Sequence, residues 1–222
     1  MAGLTLLDAT ALGYFLLAWL GYHFYLENSR RKGQSLHAVM DGERHRWLAS
    51  MIERDNRILD AQIMASLQNG TAFFASTSLI AIGGAVSLLR APDDLVQVFG
   101  DFGGSMTRSL WEMKVIGLAV IFTYAFFKFS WSYRLFNYCA VLMGAVPPTK
   151  DERAKLAAEK AARMNVVAGR HFNRGQRAFF FALAYLGWFV GPWPLIVVTT
   201  LVMMVMWRRH FASDAREALD VA

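Results

Sequence analysis

Two groups of residues in this 222-residue chain could do chemistry. The first is Gln62, Ser66, Asn69, Ser76 and Gly83, which recur at steps of four, three and seven. Those steps place them on one face of a helix. The segment carrying them, residues 61–89, has no charged side chain. It is long enough to span a bilayer, since about 20 apolar residues cross ~30 Å of hydrocarbon. A row of amides and hydroxyls there should avoid lipid. It either hydrogen-bonds other helices, at ~0.6–2 kcal/mol per contact, or meets water. If several copies bring this face together, Asn69 and Ser76 line the narrow part of an aqueous pore. The basic segments nearby would then attract anions.

The second group is Asp55, Asp60, Lys128 and Arg134, each placed where an apolar run meets a charged segment. Ionisable groups at that depth are costly and usually paired. The expected pair is Asp60 with Lys128 or Arg134, across the second and third spans. It would serve as a fixed ion pair holding the bundle, or as a vestibule for ions or protons.

Five histidines remain: His23, His37, His45, His171 and His210. A metal or haem site needs several of them to converge. They read as interfacial histidines, with a pairing of His23 to His171 or His45 left open, and no metal is expected. The chain lacks a P-loop, a G-x-S-x-G, an H-E-x-x-H and a C-x-x-C. No acid, base or nucleophile cluster stands at a recognisable spacing. The expectation is a protein that is not an enzyme and takes no cofactor. Cys139 is the sole cysteine, which excludes an intrachain disulfide; it reads as a small buried hydrophobe.

The elements that position these residues follow from the hydropathy pattern. The chain is 55% hydrophobic, with a mean hydropathy of +0.30, and its apolar runs are long and bounded by charge. The first span covers about 9–26. It bears Tyr14, Trp19, Tyr22 and Tyr25, residues that favour membrane interfaces, and is retained rather than cleaved as a signal. Residues 41–60 read as an amphipathic helix, N-capped by Asp41 and continuous with a second span over about 62–89. A loop rich in glycine follows, up to Ser105.

The third span starts near Met106 and covers about 108–133. Its helix continues through Ser130, Arg134 and Asn137 until Pro147-Pro148 stops it. Thr149 and Glu152 form a capping box for a surface helix over about 150–167. Residues 169–175 read as a basic turn. The fourth span, about 178–207, would be ~45 Å long as one helix, and Gly191-Pro192-Trp193-Pro194 interrupts it. A kinked span is preferred over a two-legged hairpin, because each leg would be too short to cross.

Net charge is +6 and the pI near 9.7, but the cations sit in blocks flanking apolar runs. That distribution suits topology signals and anionic lipid headgroups, and nucleic acid is not an expected partner. The positive-inside rule puts the segments 27–60 and 144–177 in the cytoplasm. Arg208, Arg209 and Arg216 near the C-terminus fit four spans poorly.

Four stretches carry a family resemblance. Asp55-Asn56-Arg57 leads into Leu67-Gln68-Asn69 and Phe73-Phe74-Ala75-Ser76-Thr77. Lys128-Phe129-Ser130 leads into Tyr133-Arg134. His171-Phe172-Asn173-Arg174-Gly175 opens the fourth span, and Gly191-Pro192 interrupts it. In order and spacing the chain resembles domain-of-unknown-function family 599, multi-pass membrane proteins of bacteria and plants. The resemblance implies a multi-pass membrane protein and supplies no reaction or ligand. The expected fold is therefore an all-α, polytopic membrane bundle. It has four spans with long cytoplasmic helix extensions, forms a single domain over 1–222, and sits in the bacterial inner membrane. The working function is a homo-oligomeric channel lined by the second span. The alternative is a structural or accessory subunit of a larger membrane complex.

Overall fold

The computed structural model describes residues 4–28, 36–90, 93, 98 and 106–211. Among them the chain is all-α, without a strand. Its helices are α1 (Leu6–Asn28), α2 (Leu36–Met51), α3 (Ile58–Leu88), α4 (Arg108–Gly144), α5 (Glu152–Tyr185), α6 (Gly187–Val190) and α7 (Pro192–Phe211). Two of them, α3 and α4, are long and apolar enough to cross a membrane. Arg30, Arg31 and Lys32 of the basic segment 27–60 lie outside the described residues, as do most of the loop before Ser105 and Arg216.

An antiparallel pair, α4 and α5, forms the spine. Thr107 caps α4, accepting a hydrogen bond from the Leu110 amide at 3.3 Å. The helix then runs for 37 residues, ~55 Å, and ends before Pro147-Pro148 as the prolines require. Asp151, rather than Thr149, caps α5. It accepts from the Ala154 amide at 3.0 Å, while Thr149 donates to Asp151 at 3.0 Å. A carboxylate suits this position because it also faces the positive end of the helix dipole.

Nor is there a turn over 169–175, since α5 is continuous through it. The glycines mark close approach. A Cβ at Gly169 would lie 2.5 Å from the Arg44 guanidinium, and one at Gly175 would lie 2.7 Å from the Phe129 ring. Packing offsets the ~1 kcal/mol by which glycine disfavours a helix.

Two cores stack along the spine. One gathers Phe15, Trp111, Val115, Phe181, Tyr185, Trp188 and Leu195 from α1, α4, α5, α6 and α7. The other gathers Leu48, Met51, Met64, Phe136, Cys139 and Ala161 from α2, α3, α4 and α5. Between them lies an aromatic layer: Phe74 stacks on Phe129 at 5.3 Å, and Phe172 meets both rings edge-on. The second tier carries the basic segments; the first is the apolar one.

The amphipathic helix does not continue into the second span. α2 begins at Leu36 and ends at Met51, and α3 starts afresh at Ile58. Asp41 therefore lies inside α2, where it accepts from Arg170 at 3.1 Å instead of capping. The break has local causes. The Asn56 side chain accepts from the Ile58 amide at 2.9 Å. Arg57 is drawn sideways, donating to the carbonyls of Val146 and Pro147 at 2.7 and 3.0 Å, just beyond α4.

The expected fourth span is a reversal and not a kink. The contacts Asp8–Trp188, Tyr14–Thr200 and Tyr22–His210 advance together, so α1 and α7 are parallel. Phe15 meets Tyr185 and Trp19 meets Phe181, so α1 and α5 are antiparallel. Hence α7 runs back along α5. Gly191 is extended (φ 159°, ψ 174°), and Pro192 opens α7, where its missing N–H costs nothing. The legs looked too short only because charge was read as their limit. Arg177 lies buried within α5, and Arg208 and Arg209 lie within α7.

Candidate functional site

Periodicity assigns α3 two faces. Asp60, Met64, Thr71, Ser78 and Ala85 are buried. At 3.6 residues per turn the row Gln62, Ser66, Asn69, Ser76 and Gly83 falls on the opposite side. All five are exposed. The four polar side chains make no hydrogen bond to another described residue, and a Cβ at Gly70, Gly83 or Gly84 would meet nothing within 4 Å. The stripe is thus not glue between the second and third spans of one chain. That joint is made by the other side, where Gln68 donates to Asn137 at 2.7 Å. Phe74 marks the level of the aromatic layer. Ser76 and Gly83 flank the apolar tier, whereas Asn69, Ser66 and Gln62 step down beside the basic tier, at 1.5 Å per residue.

The charged group resolves differently from expectation. Asp60 is 1% exposed, and it pairs with Arg54 while accepting from Trp47 Nε1 at 2.7 Å. Neither Lys128 nor Arg134 is its partner. The Lys128 ammonium lies 5.1 Å from the Tyr124 ring centre, and Arg134, exposed, donates to the Tyr138 hydroxyl at 2.6 Å. Asp55 is exposed in the turn between α2 and α3. Arg57, three residues away, is committed to the carbonyls of Val146 and Pro147, and the turn folds Arg54, six residues away, back over the first residues of α3.

Of the histidines, the two that meet are ones the sequence does not single out. His37 at the start of α2 lies edge-on to His210 at the end of α7, ring centres 4.4 Å apart. Tyr22 of α1 reaches His210 Nδ1 at 3.0 Å, and the Met206 carbonyl lies 2.9 Å from the same nitrogen. His23 Nδ1 is 3.4 Å from the Arg177 guanidinium, and His45 pairs with Glu159 at 3.0 Å. Around His37 and His210 lies a cavity of about 50 Å³, bordered by Asn173, Gln176, Arg177 and Arg209. Burial first, then the charges of His210, Arg177, Arg44 and Arg209, pushes His37 down to about 3. It is neutral at pH 7. Cys139 makes a poor nucleophile: it is buried and its thiol donates to the Ala161 carbonyl.

The family profile described as "Protein of unknown function, DUF599" matches residues 10–215. The chain belongs to the DUF599 family. No curated protein and no solved structure matches it. In this DUF599 protein the stretches that carried the resemblance take distinct places. Residues 55–57 make the turn that docks on the end of α4. Residues 67–77 lie on α3 and supply both Gln68 and Phe74 to the joint with α4. In 171–175, Phe172 joins the aromatic layer, Asn173 borders the cavity and Gly175 admits Phe129. Gly191-Pro192 is the reversal.

Proposed function

We propose that this DUF599 protein is a multi-pass inner-membrane protein that assembles with copies of itself through the outer face of α3, forming a permeation pathway. The observation carrying this reading is the position of the stripe opposite the face of α3 that the described residues of its own chain cover. α3 is 31 residues, ~46 Å, long, some 16 Å more than the hydrocarbon needs. Its outer face stays uncharged throughout, with Ile58, Leu59 and Ile63 exposed beside the basic tier. Lipid does not reach that level when the apolar tier fills the bilayer, and a second copy would cover it.

In this arrangement α1, α3, α4, the second half of α5 and α7 are five membrane legs. The positive-inside rule places α2, the first half of α5 and Arg208-Arg209 in the cytoplasm. Ser76 and Gly83 line the narrow part, and Gln62, Ser66 and Asn69 line the inner mouth. The protein has no catalytic role in this reading. Imaging of single particles in nanodiscs tests it. A closed ring with Ser76 toward the axis, whose conductance changes in Ser76→Leu while the ring persists, is the expected result. A ring that dissolves in Ser76→Leu and carries no current favours the second reading, an accessory subunit using the same face as an adhesive surface. A monomer overturns both.

A further inference from the structure

The cavity between the end of α7, the middle of α5 and the start of α2 is independent of the α3 face. Leu36 and His37 of α2 form one wall. Arg177 and Arg209 bring two guanidinium groups to it, and Asn173 and Gln176 two amides. Neither amide makes a hydrogen bond to another described residue. His210 is 7% exposed, and its Nε2 has no hydrogen-bond partner among the described residues, whereas Nδ1 is committed to Met206 and Tyr22. No carboxylate stands among the described residues that border the cavity.

The groove between α2 and the first half of α5 provides the contrast. It holds about 470 Å³ and is also rich in charge, yet its charges cancel locally. Lys155 pairs with Glu152 at 2.7 Å, Lys150 with Glu53 at 3.1 Å, and His45 with Glu159 at 3.0 Å. Among the described residues that border it, the cavity beside His210 has guanidinium groups, amide donors and a buried ring nitrogen, and no carboxylate. Its volume equals that of about three waters at ~15 Å³ of probe-occupied space each, which suits one tetrahedral oxyanion.

We propose that this cavity binds a phosphate group. Arg177 and Arg209 neutralise its charge, the fork of a guanidinium matching two phosphate oxygens. Asn173 and Gln176 donate to the remaining oxygens, and His210 Nε2 shares a proton with one of them. The cavity sits where α1 and α7 end, at the border between the apolar and basic tiers. A phosphomonoester lipid headgroup and free inorganic phosphate present the same chemistry there.

The test uses the full chain in phosphatidylcholine nanodiscs, titrated with inorganic phosphate by calorimetry. In parallel, its thermal midpoint is compared in nanodiscs with and without phosphatidic acid. Binding or stabilisation that falls at least tenfold, or vanishes, in Arg209→Gln and in Asn173→Leu is the expected result. Arg209 is exposed, so its loss leaves the fold intact even if a variant of buried Arg177 does not fold. Arg163→Gln, on the exposed side of α5 and away from the cavity, leaves binding unchanged. A response to inorganic phosphate identifies a soluble ligand, and a response to phosphatidic acid alone identifies a lipid. No response to either probe overturns the proposal, as does a response that the cavity variants share equally with wild type.

Discussion

Trp188 donates its indole N–H to Asp8 at 2.9 Å, joining residues that are 180 apart in sequence. Thr5 adds its hydroxyl to the same carboxylate at 2.6 Å, and Lys114 donates to the Trp188 carbonyl at 2.7 Å. This knot ties the starts of α1 and α4 to the short α6, at the end of the bundle remote from the basic tier. The Trp188→Phe change keeps the ring but leaves a buried carboxylate oxygen without its donor. An unmet buried acceptor costs ~1–3 kcal/mol, so the thermal midpoint should fall while helix content by circular dichroism stays constant.

The reversal at Gly191 makes a prediction about sidedness. With α7 running back beside α5, Arg208 and Arg209 share an end with the basic segments. A reporter fused after Ala222 should report the cytoplasm, and one fused before Met1 the opposite side. Termini on one side would restore the kinked span and contradict the parallel course of α1 and α7.

Arg54 and Asp60 offer an asymmetry. Asp60 is almost wholly buried, whereas Arg54 is 36% exposed. Removing the cation strands a charge in the core, for which the usual penalty is ~3–5 kcal/mol. Asp60→Asn removes the charge and retains an acceptor for Trp47, at ~1–3 kcal/mol for the amide group left unmet. Denaturant melts should therefore rank Arg54→Gln as the more damaging of the two.

Glycines on opposite sides of the bundle should behave oppositely. Gly175→Ala pushes a methyl into the Phe129 ring, and overpacking of that kind costs ~1–3 kcal/mol. Gly83→Ala meets open space and gains ~0.5–1 kcal/mol of helix propensity. The monomer should be as stable as before or more so. Gly83→Leu should then alter conductance with the assembly intact, and loss of assembly, measured by the size of the detergent complex, would favour the adhesive reading of the outer face of α3.

Acid should release the start of α5. Hydrogen bonds from the Ala154 amide and Thr149 hold the Asp151 carboxyl below its ordinary value of 3.8. A lowered carboxyl stabilises the fold above its ordinary range, and that contribution is lost as pH falls through the folded value. The protection factors of the first amides of α5, exchange rates corrected for the intrinsic pH dependence, should be steady between pH ~7 and ~5 and fall only below about 4. Asp151→Ala should show the faster exchange at neutral pH, and Asp151→Asn, still a good cap, should not.

The helices were legible in the sequence where hydropathy alone decides, as with α1 and the full length of α4. The errors share a cause. Glycines at 169 and 175 read as punctuation, but their role depends on Arg44 and Phe129, which are distant in sequence. Arg177 read as a boundary, although burial beside α1 lets a charge lie within a helix. Asp41 read as a cap because nothing local pointed to Arg170. The stripe on α3 was legible as a face, but its exposure followed only from where α4 packs. The cavity at His37 and His210 left no local signal, since its walls come from three separate parts of the chain.

The pairing of α1 with α7 also sets an order of events during synthesis. Tyr22 and His210 are 188 residues apart. At ~5–20 residues per second, α1 waits roughly 10–40 s for that partner to be made. Throughout this interval Asp8 lacks Trp188, Tyr14 lacks Thr200 and Tyr22 lacks His210. α1, made before every other described helix, is thus among the last to be locked in place, so truncation anywhere before α7 should leave α1 exposed to quality-control proteases.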